Sequence, residues 1–205
     1  MASLLQTAGT VVIAHQAVTH PNSVFSAAIN VATKLAGILS MFHASVEAAA
    51  NTNPGSFIVQ YSAAEAGDED WVEYARFTAQ VSTADTEAMT ATEPAGETEL
   101  VVASTTGFVA GDILYIQDTG TLADSEWADC DKIVPTGPPI AVWLARGLTN
   151  QKDSSDVIWN DAERFICAID FSVGIKRIAV IFRHEGAAGA DVHIKVHLNT
   201  GDSIG

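Results

Sequence analysis

The sequence predicts an all-β protein, an antiparallel β-sandwich with a small β unit inserted into it. Apolar residues in the C-terminal third recur with a period of two, the repeat of a strand with one dry face. Turn signals rich in Gly, Pro and Asp punctuate the rest of the chain. The composition supports a packed core: of 205 residues, 48% are hydrophobic and only 17% charged, which suits one large all-β domain or one domain carrying a smaller insert.

The clearest strand is Asp191 to Asn199, where Val192, Ile194, Val196 and Leu198 alternate with polar neighbours. Upstream, Ile178, Val180 and Phe182 alternate in the same way, and the segment from Glu185 to Ala190 supplies two glycines to turn the chain. An antiparallel hairpin is therefore expected here. Phe165, Cys167, Ile169 and Phe171 share one face of a third strand. A second hairpin is legible from Ser56 to Thr78, with Phe57, Val59 and Tyr61 in its first arm and a polar turn from Ala66 to Asp70; Asn53-Pro54-Gly55 is a turn signal in front of it.

From Phe25 to Val46 two readings compete. Phe25, Ala28, Ala32, Leu35, Leu39, Phe42 and Val46 fit one helical face, and Leu35 to His43 fits a buried strand equally well. Alanine content favours helix; an all-β context and Gly37 in mid-run favour strand. Ser82 to Pro94 reads as a linker. Beyond it, Glu99 to Ala103, Gly111 to Gln117 and Ile140 to Leu144 are short strands between Gly- and Pro-rich turns. The expected organisation is an N-terminal arm over 1–23, a sandwich from 24–81 and 160–205, and an inserted small β domain over 95–159.

Charge narrows the function classes. Twenty-five acids face ten bases, a formal −15, and sixteen of the acids lie between Glu65 and Asp131 with Arg76 as the only base among them. Such a segment repels phosphate backbones and anionic headgroups, so neither nucleic acid nor a membrane surface is an expected partner. Histidine aside, no charged residue precedes Lys34, so the basic start of a secretory signal is not seen. No uncharged run after Lys34 approaches the ~20 residues of a membrane span. Asn-x-Ser/Thr sequons and lipidation boxes are also missing.

The residues that could carry chemistry do not assemble into a motif. His193 and His197 stand about 13 Å apart on an extended strand, too far to share a metal, and read as solvent-facing or interface histidines. Gly67-Asp68-Glu69-Asp70 and the stretch Asp124 to Asp131 gather carboxylates of the kind calcium prefers, but neither matches an EF-hand loop, and hydrated turns are expected. Cys130 and Cys167 are too few for a disulfide framework, and Cys167 falls on a core face. Trp71, Trp127, Trp143 and Trp159 could form a sugar-stacking platform, which would support a tail or baseplate carbohydrate-binding module; for Trp71, at the start of a strand, a structural anchor is expected. No nucleophile elbow, zinc-protease motif or phosphate loop occurs. No catalytic, cofactor or metal residue is assigned, and an enzyme is not expected.

Ser56 to Ser62, Gly67 to Trp71 and Tyr74 to Thr78 together resemble a strand, turn and returning strand in jelly-roll proteins of tailed-bacteriophage particles. The segment Arg177 to Thr200 is similar to the last two strands of such a sandwich, and Thr105 to Tyr115 to a turn-and-strand phrase of phage virion proteins. The resemblance implies a jelly-roll-like virion structural protein, of the capsid cement or decoration type. It would be made in the host cytoplasm, sit on the outer capsid surface, and bridge major capsid protein subunits as a homotrimer. On that reading Val11, Val12 and Ile13 belong to an uncharged arm that orders against a neighbour, and Lys176, Arg177, Arg183 and Lys195 meet an acidic capsid surface while the acidic middle segment faces solvent.

Overall fold

The computed structural model describes residues 4–6, 9–19, 21–46, 55–67, 70–80, 85–160, 162–185 and 191–203. In chain order the strands are β1 (Leu4–Gln6), β2 (Thr10–Thr19), β3 (Ser23–Phe25), β4 (Ile29–Asn30), β5 (Ala36–Ser45), β6 (Ser56–Ser62), β7 (Val72–Thr78) and β8 (Thr86–Ala88). They continue with β9 (Glu99–Val101), β10 (Ile113–Gln117), β11 (Glu126–Val134), β12 (Ala141–Leu144), β13 (Val157–Trp159), β14 (Ala162–Asp170), β15 (Arg177–Arg183) and β16 (Asp191–Ser203). The protein is all-β, and its first compact unit is a β-sandwich. That unit comprises 1–42, 53–80 and 164–205; the second comprises 43–52 and 81–163.

In the sandwich, one sheet has the order β1-β16-β5-β14, with β2 also paired to β16; the other has the order β3-β15-β6-β7, with β4 also paired to β15. Alternation explains the core. Leu39, Met41, Cys167, Ile169, Val192, Ile194 and Val196 from the first sheet meet Phe57, Val59, Ile178, Val180 and Phe182 from the second. Each fully buried aliphatic or aromatic side chain of this kind contributes about 1.5–3 kcal/mol.

The segment from 36 to 45 is a strand, the reading that the all-β context and Gly37 favour over helix. Gly37 is what lets it pack: a Cβ there would stand 2.6 Å from the ring of Phe171. Several other expectations change. β15 and β16, expected as a hairpin, lie in opposite sheets: β15 pairs with β6, β3 and β4, and β16 with β1, β2 and β5. The reason is physical: both present a full apolar row, and two such rows are buried best face to face across a core, not edge to edge. The glycine turn between them falls largely on 186–190, outside the described residues, as does the Asn53-Pro54 turn. Of the segment expected as an arm, residues 10–19 form β2, paired along β16 from Thr10↔Leu198 to Thr19↔Asp191.

The hairpin of β6 and β7 is antiparallel as expected, with a bulge opposite Val59 and Gln60 where Tyr74 is the extra residue. The bulge puts Glu73 on the same face as Arg76, and the two form an ion pair at 2.9 Å.

The second unit is a six-stranded sheet of order β8-β13-β10-β11-β12-β9. An isolated antiparallel bridge between Met89, just after β8, and Val102, just after β9, brings the ends of the two outermost strands together and curls the sheet into a partly closed barrel. Met89, Leu100, Leu114, Ile116, Ala128, Val142 and Ile158 fill its interior. Three of its strands were not expected. β8 lies in the presumed linker, β13 follows it in the sheet, and β11 runs through the acid-rich stretch once read as a hydrated turn.

Candidate interaction surface

The residues expected at an interface do not form one patch. Ile13 is a core residue at 3% exposure, opposite Val196, and Val12 packs against the same core. Val11, opposite His197, is the exposed member of the three.

Arg177 is buried, because its guanidinium is consumed locally. Nε donates to Ala64 O at 2.8 Å, Nη2 to Gly67 O at 2.7 Å, and the group lies over the ring of Trp71 at 5.0 Å. This clasps the loop between β6 and β7 and makes Trp71 a structural anchor. Arg183 is exposed on the outer face of the second sheet, opposite Ser56. Lys195 lies half-buried on the outer face of the first, and Lys176 is held through its backbone N–H to Ser62 O at 2.9 Å. Arg183 and Lys195 thus lie on the outer faces of opposite sheets, and Arg177 is consumed locally.

The arrangement that does stand out lies at the two flanks of the sandwich, where the sheets end. On one flank, β7 and β14 are held together by Tyr74, whose hydroxyl donates to Ala168 O at 3.3 Å. This flank carries Glu73, Arg76, Glu163, Arg164 and Asp170, together with the β7 bulge; charges and bulges are the usual protections of an exposed edge.

The other flank is formed by β2, β3 and β4. Residues 9–33 contain no Asp, Glu, Lys or Arg, and Val11, Ala14, Ala17, Phe25, Ala27 and Ala28 are all exposed along it. Phe25, at 67%, is among the most exposed large apolar side chains. Sequence reasoning marked the uncharged run but assigned it to an arm, because nothing in the run itself says which strand it pairs with.

The histidines have other roles than those of a site. His15 and His193 stack at 5.6 Å between ring centroids, and burial pushes His193 down to about 4 against the weaker pull of Asp191. His193 is therefore not solvent-facing. His197 is also lowered, by burial and by Lys195. His43 Nδ1 lies 3.7 Å from Glu163. Among the described residues no group of three or more His, Cys, Asp or Glu could hold a metal. Burial pushes the Cys130 thiol up to about 11, with Asp112 and Asp131 adding to it, and raises that of Cys167.

The four tryptophans do not make an open platform. Trp71 lies under Arg177, and Trp143 under Lys132 at 4.1 Å. Trp159 donates to Gln117 Oε1 at 3.0 Å, and Trp127 is buried beside Tyr115 with its Nε1 donating to His43 O.

In the barrel the acids serve the fold. Lys152 is fully buried; its Nζ donates to Asp124 O at 2.6 Å and pairs with Glu126 at 3.3 Å. The Glu126 carboxylate also accepts the Thr149 N–H at 2.9 Å. Asp156 accepts from the backbone of Thr119 and Asp153. Among the described residues no helix is long and apolar enough to cross a membrane.

No known protein family matches the chain, and no curated protein does. Among solved structures, that of infectious bursal disease virus, Gx strain, aligns over 98% of this chain and 82% of its own at 9% identity with a TM-score of 0.22, a likeness too slight to carry an argument about fold or function.

Proposed function

We propose that this chain is a structural protein of a tailed-bacteriophage virion, a cement or decoration protein that sits on the outer capsid surface and ties major capsid subunits together. One observation carries the reading: the sandwich keeps an open, uncharged flank with exposed apolar side chains, whereas the barrel unit is strongly anionic. By sequence the barrel unit holds sixteen acids against three bases, a balance of −13, and the sandwich unit nine against seven, a balance of −2. Protein contacts favour surfaces that surrender no charge hydration, so the sandwich is the unit that docks and the barrel the unit that stays in solvent. The resemblance of the β6–β7 hairpin to phage jelly-roll proteins supports the same reading. It requires no cofactor and no turnover.

The test is to purify particles with and without this chain. The chain should co-sediment with heads at a fixed stoichiometry, and heads lacking it should rupture at lower temperature. Recovery of the chain in the soluble fraction, or only in isolated tails, would refute the proposal.

A further inference from the structure

We infer that the uncharged flank is also where the chain associates with itself: a second copy lays its own β2 antiparallel to β2, centred on Ala17. The contact uses the flank that the capsid reading also uses, so it belongs to the isolated chain and is given up when a capsid subunit takes its place.

β2 is ten residues long and, among the described residues, its only strand partner is β16. A further strand can add along its other side; at the end of the strand the Thr19 carbonyl already accepts the Asn22 N–H at 3.0 Å, so the contact centres on the residues before it. The pairing of β2 with β16 is irregular between Ile194 and Val196 and again before His197, which places extra residues of β2 at Ala14–His15 and at Val12. Those bulges twist the N-terminal half of the edge. From Gln16↔Ile194 to Thr19↔Asp191 the register is unbroken, so this is the part a straight partner can follow.

Charge identifies the occupant. A chain of −15 repels its own copies nearly everywhere, and the β2 flank is where two copies meet without bringing formal charges together. The nearest acid, Asp191, already accepts a hydrogen bond from the Thr19 hydroxyl at 2.6 Å. An antiparallel pair of identical strands is self-complementary about a twofold axis. It sets Ala17 of one copy opposite Ala17 of the other and Gln16 opposite Val18, so that exposed residues face exposed ones and inward residues face inward ones. The small exposed side chains of Ala14 and Ala17 admit a close neighbour, and Val11 and Phe25 lie beside it. A twofold contact replaces the trimer that the resemblance implies.

Sedimentation velocity of the full chain tests this. A particle of twice 21.5 kDa is expected, with self-association tightening as salt rises to about 0.5 M, because screening removes the long-range repulsion. Ala17→Lys, on an exposed position, should weaken it at least about tenfold while leaving the circular dichroism spectrum unchanged, since a charge blunts an edge. Ala17→Cys should give a disulfide-linked dimer on a non-reducing gel, and Thr78→Cys on the protected flank should not; both native cysteines are buried and do not interfere. A monomer at about 100 µM, a trimer, a dimer indifferent to Ala17→Lys, or equal cross-linking at both positions would each overturn the inference.

Discussion

In the barrel the ends of the two outermost strands meet through Met89 and Val102, whereas the sandwich leaves β2 and β7 with one neighbour each. A curled sheet whose end strands approach each other leaves less edge to protect, and its surface carries most of the acids. Each open sheet of the sandwich has edges, and here β7 of one sheet and β2 of the other are treated differently. The β7 edge carries a bulge, an ion pair and the Tyr74 bond to Ala168; the β2 edge carries bulges over part of its length and no charge at all. The contrast teaches that an edge left uncharged in a strongly anionic chain is the place to look for a partner.

The largest expected effect lies in the barrel. Lys152→Ala leaves the Glu126 carboxylate buried without its cation and should cost about 3–5 kcal/mol in urea denaturation. The double replacement Lys152→Met with Glu126→Leu should cost much less, because no charge is then stranded. An effect below about 1 kcal/mol for the single change would show that water reaches the pair.

Acid should loosen the sandwich. The folded His193 titrates near 4, against 6.5 for the ordinary side chain, so between those values the unfolded chain binds the extra proton. Stability is therefore full above about pH 6.5 and lost as pH falls toward 4, by about 1.4 kcal/mol per pH unit and roughly 3 kcal/mol in all. His197 shifts in the same direction. His193→Gln should flatten this part of the pH profile; an unchanged slope would mean that the imidazole is hydrated.

Gly37→Ala drives a methyl into the Phe171 ring and should destabilise by about 1–3 kcal/mol, seen as a lower thermal midpoint. Smaller again, Tyr74→Phe removes one hydrogen bond between the two sheets and should cost about 1 kcal/mol. Ala17→Lys on the opposite flank should leave monomer stability within about 0.5 kcal/mol. Equal losses at Tyr74 and Ala17 would erase the distinction between the flanks.

Much of this fold was legible as strands and little of it as pairings. The alternation of Val192, Ile194, Val196 and Leu198 reveals a strand and its dry face, but period two does not say whether the next strand lies beside it or across the core. That is why β15 and β16 read as a hairpin. β11 was hidden by Asp124, Glu126, Asp129 and Asp131: carboxylates on a strand look like a hydrated turn until the backbone alternation is known. The uncharged run before Lys34 was visible and its importance was legible; its role as an edge strand was not, since β16 lies about 180 residues further along the chain. Arg177 and Lys152 were read as surface cations or passed over, because their partners are backbone carbonyls and a carboxylate distant in sequence.

Hydrogen–deuterium exchange of the full chain, dilute against concentrated, tests the central claim that association belongs to the uncharged flank of the sandwich. Slowed exchange confined to residues 10–30 is predicted, with 71–78 and 85–160 unaffected. Protection appearing in the barrel strands or along β7, with 10–30 unchanged, would contradict it.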